Sequence, residues 1–74
     1  MINKILVFLA GHNNGQYRSK DLLFSDFLKV HPEYIDRQKE IREAINNCFN
    51  NGYIKNREYP DYFIYLTDEG RKAI

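Results

Sequence analysis

Residues 41–70 have the sequence IREAINNCFNNGYIKNREYPDYFIYLTDEG, and this stretch decides the fold. Its first part predicts an amphipathic helix, because apolar residues recur at helical spacing and polar residues take the opposite side. The apolar stripe consists of Ile41, Ala44, Ile45, Cys48 and Phe49. Gly52 is well placed to close this helix in a left-handed C-cap. Residues 53–59 and 62–66 are rich in aromatic and β-branched side chains, so they predict two strands.

A turn and a short helix complete this stretch. Tyr59-Pro60-Asp61 is expected to join the strands into a hairpin, with the proline confined to the turn. Thr67 is expected to cap a last helical turn that runs through Ala73. Asp68 and Glu69 lie near the positive end of that turn, where negative charge is favourable.

The residues before this stretch predict two more helices and a short link. Apolar residues at helical spacing indicate a first helix that ends near Ala10 and is stopped by Gly11. Residues 16–18 predict a short extended segment. Ser19 is a good N-cap for the second helix, which should end before Pro32 because the residue ahead of a proline avoids helical geometry.

The second and third helices differ in how well their details are specified. The second is expected to bury an apolar face made of Leu23, Phe27 and Val30, widened by Leu22, Phe24 and Leu28. The sequence is compatible with two start positions for the third helix. Either Asp36 caps it, or Pro32 lies in the first turn of a longer helix.

Composition limits the class of protein. A length of 74 residues with 43% apolar residues suits one globular domain over residues 1–74. Cys48 is the single cysteine, which excludes an intrachain disulfide and favours a reducing, cytoplasmic setting. The apolar run in residues 1–10 is far shorter than the roughly 20 residues of a spanning helix and lacks the features of a secretion signal. No contact with a membrane is therefore expected.

The predicted elements follow the order helix, short link, helix, helix, strand, strand, short helix. A two-stranded ribbon alone is unstable in water, and three short helices also need a surface on which to bury their apolar faces. Packing the hairpin against the helices satisfies both requirements. The sequence therefore predicts an α+β fold with a three-helix cluster, a C-terminal two-stranded hairpin and a short terminal helix.

Three motifs between Ser19 and the C-terminus support this architecture. They are the helix end at Ile45 to Phe49, the element Gly52-Tyr53-Ile54, and the ending Leu66-Thr67-Asp68-Glu69-Gly70. In this order the segment resembles the winged helix-turn-helix transcription regulators of bacteria and phages, such as multiple-antibiotic-resistance and PadR-type regulators. The resemblance implies a winged helix, with the hairpin as the wing, that regulates transcription by binding DNA.

The resemblance also implies which residues meet double-stranded DNA. The third helix would lie in the major groove, and the wing would reach a neighbouring groove or the backbone. The candidate base-reading donors on that helix are Gln38, Lys39, Arg42 and Asn46. The candidate phosphate contacts are Ser19 and Lys20 at the start of the second helix, and Lys55 and Arg57 on the wing. A small core and a two-fold target site both favour a homodimer, with the first helix as its contact.

The charge balance argues against a strong DNA-binding surface. Eleven basic and ten acidic side chains leave a net charge of +1 for the chain. The segment from Asp36 to Glu58 also sums to +1. Lys39 and Glu43 have the spacing of a helical ion pair, so part of this surface is expected to be a solvated face with local pairs.

Aromatic residues near the wing support a second hypothesis, a winged-helix module that binds a protein. Only one face of a two-stranded hairpin can pack against the helices, so some of these rings must be exposed, as interface anchors are. Tyr59 and Tyr62 at the tip are the candidate protein-interface residues, whereas Tyr53 and Tyr65 are expected to cap the core. Such a module would be an adaptor or inhibitor, compatible with a phage or mobile-element product, that binds the transcription or replication machinery.

Other chemistry is not indicated. His12, His31 and Cys48 are too far apart in sequence for the paired ligands of a structural zinc site. The carboxylates near the third helix lie on a predicted exposed face, without the burial that shifts a catalytic pKa. We therefore expect no enzyme activity, no metal and no cofactor.

Overall fold

The computed structural model describes all 74 residues and contains four α-helices and one antiparallel β-hairpin, an α+β arrangement. Fifteen buried apolar residues from the helices, the hairpin and the link form a single core. None of the helices combines the length and the apolar character needed to cross a membrane. The elements are α1 (Ile2–Phe8), α2 (Lys20–Val30), α3 (Gln38–Asn50), β1 (Ile54–Arg57), β2 (Phe63–Leu66) and α4 (Asp68–Lys72).

The end of the first helix differs from the prediction. α1 does not stop at Gly11 but continues as a π-helical turn over Leu9–Asn13. Leu9, the first residue of this turn, is fully buried, and the backbone leaves helical geometry at His12 (φ −123°, ψ 15°). The side-chain amide of Asn13 donates a hydrogen bond of 3.0 Å to the Phe8 carbonyl, which satisfies a carbonyl at the end of α1.

The predicted extended link is confirmed at Tyr17. This residue forms an isolated antiparallel bridge to Ile64 of β2, and the Ile64 amide donates to the Tyr17 carbonyl at 2.7 Å. The Tyr17 ring is buried, and its hydroxyl donates to the Asp26 carboxylate. Burial and this hydrogen bond to Asp26 raise the pKa of Tyr17 well above its usual value. The link therefore adds a short third segment to the edge of the hairpin.

α2 begins and ends where the sequence predicts. The Ser19 hydroxyl oxygen accepts a hydrogen bond of 3.2 Å from the Leu22 amide, and the helix ends at Val30 before the proline. Leu23, Phe24 and Phe27 are buried. The prediction was wrong for Leu22 and Val30, which are more than half exposed. Leu22 lies on the side of the helix away from the buried arc, and Val30 is its last residue.

α3 follows a 3-10 helix over Pro32–Arg37, and the backbone leaves helical geometry at Arg37 (φ −122°, ψ 33°), which is the N-cap of α3. Pro32 occupies the first turn of that segment, and Asp36 does not cap α3, which has no side-chain cap. Both predicted starts were therefore wrong, because Pro32–Arg37 form a separate 3-10 helix and α3 begins at Gln38. The chain leaves α3 through Gly52 at φ +73°, so the predicted left-handed end is confirmed.

The buried face of α3 is confirmed. Ile41, Ala44, Ile45 and Cys48 are buried, and Phe49 is half-buried at the edge of the core. Burial also raises the pKa of the Cys48 thiol to about 11, because the thiolate would lose its hydration.

The two strands are shorter than predicted. Four pairs form the ladder, from Ile54 opposite Leu66 to Arg57 opposite Phe63. Tyr53 precedes the first of these pairs, and its carbonyl accepts from the Thr67 amide at 3.0 Å in the same register. Ile54, Ile64 and Leu66 face the core, so the residues between them along each strand face outward.

The predicted cap of α4 is confirmed, and α4 itself spans Asp68–Lys72. The Thr67 hydroxyl accepts from the Gly70 amide at 3.1 Å and donates to the Gly52 carbonyl at 2.6 Å. A Cβ atom added at Gly70 would lie 2.2 Å from the Tyr53 carbonyl oxygen. The threonine and the glycine of the Leu66 to Gly70 motif thus both serve to lock α4 against the start of β1.

Candidate functional site

The four donors predicted on α3 are all exposed. Gln38, Lys39, Arg42 and Asn46 lie on one side of the helix because they are spaced three, four, seven and eight residues apart. Glu43 is exposed among them, and the ion pair that its spacing predicts with Lys39 does not form. Lys39 makes no hydrogen bond or ion pair in the structure, so its ammonium group is free to meet a ligand.

The start of α2 lies against the middle of α3. The Nζ atom of Lys20 is 3.0 Å from Oδ1 of Asn46 and 5.0 Å from the centre of the Phe49 ring. Bidentate pairing with adenine uses both the oxygen and the nitrogen of an asparagine side chain. Lys20 must therefore move away before Asn46 can read an adenine in this way.

Arg42 is held by two partners from α2. Its Nη1 atom lies 3.3 Å from Oδ1 of Asp21, and its guanidinium carbon lies 4.0 Å from the centre of the Phe24 ring. The guanidinium group lies over the phenyl ring, while the carboxylate balances its charge. The groove between the two helices, which we call the α2/α3 cluster, is lined by Lys20, Asp21, Phe24, Arg42, Ile45 and Asn46.

Asp21 and Phe24 were not among the residues predicted to meet DNA. Phe24 was expected only to widen the apolar face of α2. Asp21 and Arg42 are 21 residues apart, so no local spacing could have revealed their contact. The signal would have been the packing of α2 on α3, which needs the tertiary fold.

Three other polar residues of this region, Gln38, Arg37 and Glu40, have partners close by in the sequence. The Gln38 side-chain amide donates to the Ile35 carbonyl at 3.0 Å, which continues the preceding 3-10 turn. Arg37 pairs with Glu40 at 2.6 Å, and this contact raises the pKa of Arg37 and lowers the pKa of Glu40. Both of these charged residues are exposed. Arg37 and Glu40 neutralise each other. Because Arg42 pairs with Asp21, Lys39 is the one unpaired cation of α3.

The wing, Ile54–Leu66, presents a cationic and aromatic outer face. Lys55 stands opposite Tyr65 in the ladder, and Arg57 stands opposite Phe63. The Arg57 guanidinium lies 5.2 Å from the centre of the Phe63 ring, and its Nε donates to the Tyr59 carbonyl at 2.9 Å. Tyr65 also points outward, because it lies opposite the exposed Lys55 in the ladder. The prediction that Tyr65 caps the core was therefore wrong.

The tip of the wing exposes the two tyrosines that were candidates for a protein interface. The exposed fraction is 86% for Tyr59 and 43% for Tyr62. Glu58 and Asp61 are exposed beside them. By contrast, Tyr53 is partly buried and packs against the core, as predicted.

The predicted site residues therefore form two groups. Lys20, Arg42 and Asn46 come together in the α2/α3 cluster, next to Ser19, whose oxygen is used as the cap of α2. Lys55 and Arg57 lie on the wing, and no hydrogen bond or ion pair joins them to α3. No cluster of three or more His, Cys, Asp and Glu side chains is placed to hold a metal ion. Comparison of the chain with protein-family models, curated proteins and solved structures finds no match.

Proposed function

We propose that this chain is a winged helix domain that binds double-stranded DNA, with α3 in the major groove and the hairpin as the wing. The observation that carries the proposal is the bridge between Tyr17 and Ile64. The chain then has the order helix, extended link, helix, helix, strand, strand, in which the link pairs with the last strand. This order and pairing suit a helix-turn-helix domain whose hairpin wing is attached, through β2, to the link that precedes α2.

The exposed face of α3 supports the choice of DNA as the partner. Lys39, Arg42 and Asn46 project from one side of a helix of 13 residues, which is a suitable length for a major groove. Lys and Arg suit guanine edges, and Asn suits adenine edges. Lys20 and Ser19 at the start of α2 would contact the phosphate backbone beside the groove.

The charge balance sets the expected strength of this interaction. Lys20, Lys55 and Arg57 are the cations that the proposal assigns to phosphates. Each phosphate neutralised contributes a slope of about −0.9 to the dependence of log affinity on log salt. We expect a total slope of about −3, which corresponds to weak non-specific binding that relies on base contacts for its specificity.

The proposal is tested by titrating a mixed-sequence duplex at low salt with the wild type and two charge-matched variants. The first variant changes Lys39, Arg42, Lys55 and Arg57 to alanine. The control changes four exposed cations outside α3 and the wing, which are Lys4, Lys29, Arg71 and Lys72. We expect the first variant to lose most of the binding and the control to keep most of it. Equal losses in both, or no binding by the wild type, would contradict the proposal.

A second function, recognition of a protein by the wing tip, is favoured by the exposure of Tyr59. Tyr59 is 86% exposed, and its backbone is held by the hydrogen bond from Nε of Arg57 to the Tyr59 carbonyl. A large ring on a fixed backbone loses little entropy on binding, which is why tyrosines are frequent anchors. The partner would be a component of the transcription or replication machinery.

This second function is tested with a Tyr59→Ala/Tyr62→Ala pair in a capture experiment with the purified chain as bait. The control replaces two exposed apolar residues elsewhere, Val7 and Leu22, with serine. A transcription or replication protein that is retained by the wild type and the control but lost with the tyrosine pair supports this function. Retention by all three chains contradicts it.

A further inference from the structure

The α2/α3 cluster contains an acidic residue where an anionic ligand is expected to bind. Asp21 lies in the first turn of α2, and its carboxylate contacts the Arg42 guanidinium at 3.3 Å. The side chains remain 86% and 55% exposed, respectively, so a ligand can reach both. The carboxylate therefore takes the position relative to Arg42 that a phosphate oxygen or a guanine edge would take in a complex.

We propose that Asp21 is an internal competitor for Arg42, which lowers the affinity of the free protein for DNA. This inference rests on the proposed function, since it concerns the same α3 face. DNA can use Arg42 only after the Asp21 carboxylate has been displaced. Asp21 thus determines how much of the cluster's positive charge is available to a ligand.

The geometry favours a contact that can be exchanged. Exposed ion pairs are weakly stabilising, so a ligand can replace one partner at little cost. Phe24 holds the guanidinium at 4.0 Å from its ring centre, independently of the carboxylate. When Asp21 is displaced, Arg42 therefore keeps its contact with the Phe24 ring.

The charges of the surrounding residues make this one contact important. Lys20, Lys39 and Arg42 face Asp21 and Glu43, which leaves a small positive excess on this surface. Removal of the Asp21 charge would double that excess and would free one cation. Removal of the Glu43 charge would change the excess equally, but Glu43 has no ion-pair partner to release.

This difference provides the matched control. Asp21→Asn and Glu43→Gln each remove one negative charge from the same surface without changing its shape. At low salt we expect Asp21→Asn to bind a short duplex roughly threefold to tenfold more tightly, and more tightly than Glu43→Gln does. The slope of log affinity against log salt should stay close to that of the wild type, because Arg42 is assigned to a base edge and the phosphate contacts are the same in both proteins.

A double-mutant cycle tests whether the effect passes through Arg42. In an Arg42→Gln background, Asp21→Asn should increase the affinity no more than Glu43→Gln does. An equal gain with and without Arg42 would overturn the inference, because the effect would then be general charge repulsion. If Arg42→Gln alone removes all detectable binding, Asp21→Asn and Glu43→Gln are compared in the wild-type background. The inference is then overturned if Asp21→Asn increases the affinity no more than Glu43→Gln does.

The failure of this inference differs from the failure of the proposed function. If no variant and no wild-type protein binds the duplex, both are overturned. If the wild type binds through α3 but Asp21→Asn binds no more tightly, the proposed function stands and the competitor role of Asp21 is wrong. Circular dichroism of each variant checks that the fold is retained, which we expect because the substituted side chains are exposed.

Discussion

The junction between β1 and α4 and the α2/α3 cluster differ in the kind of contact that holds them together. At the junction, backbone groups of Gly52 and Tyr53 meet Thr67 and Gly70 at distances that leave no room for an added carbon atom. In the α2/α3 cluster, exposed side chains meet across a groove and can separate without moving the backbone. We infer that the junction maintains the fold, whereas the cluster is able to exchange its internal partners for a ligand.

Gly70→Ala provides the most severe test of the junction. The new methyl group would lie 2.2 Å from the Tyr53 carbonyl oxygen and 2.7 Å from a Leu66 methyl carbon. A backbone oxygen cannot yield as a flexible side chain can, so α4 must shift. We expect a loss of about 3 kcal/mol or more in the free energy of unfolding, measured by urea denaturation.

The control for this variant is Gly11→Ala. No heavy atom lies within 4 Å of the position where the Gly11 Cβ would be. Alanine should therefore change the stability by less than about 1 kcal/mol, with a gain favoured by the reduced entropy of the unfolded chain. If the two glycine variants were equally stable, the close approach at the junction would not limit the fold.

Thr67→Val has a smaller effect at the same junction. Valine keeps the shape of threonine but leaves the Gly70 amide and the Gly52 carbonyl without their side-chain partner. We expect a loss of about 1–2 kcal/mol, in line with the removal of a helix cap and a partly buried hydrogen bond. Thr67→Ser retains the hydroxyl and should lose clearly less. Similar losses for both variants would show that the methyl group, not the hydroxyl, is important here.

The same comparison explains which features the sequence could predict. The caps at Ser19 and Thr67 and the left-handed turn at Gly52 depend on one residue and its near neighbours, and all three were predicted. The π-helical turn after α1 was not, because a glycine stop signal does not reveal that the Asn13 side chain bonds back to the Phe8 carbonyl. Single residues and their near neighbours therefore specify the ends of most elements, but not of α1.

The candidate site was predictable to a smaller extent. The amphipathic pattern of α3 correctly placed Lys39, Arg42 and Asn46 on its exposed side. The sequence did not show that Lys20 contacts Asn46 or that Asp21 contacts Arg42, since these partners are 26 and 21 positions apart in the chain. A hydrophobic pattern determines which side of a helix faces water. It does not determine which exposed side chains of another helix lie beside it.

Asp21→Asn should destabilise the fold less than Gly70→Ala and Thr67→Val do. The variant loses an exposed ion pair with Arg42 and a favourable charge in the first turn of α2. Each of these contributes a few tenths of a kcal/mol, so we expect a loss of no more than about 1 kcal/mol in the free energy of unfolding. Urea denaturation at low and high salt measures this loss, which should shrink as salt screens both interactions. A loss as large as that of Gly70→Ala would mean that the α2/α3 cluster is a structural joint like the junction, and its contacts could not then be exchanged for a ligand.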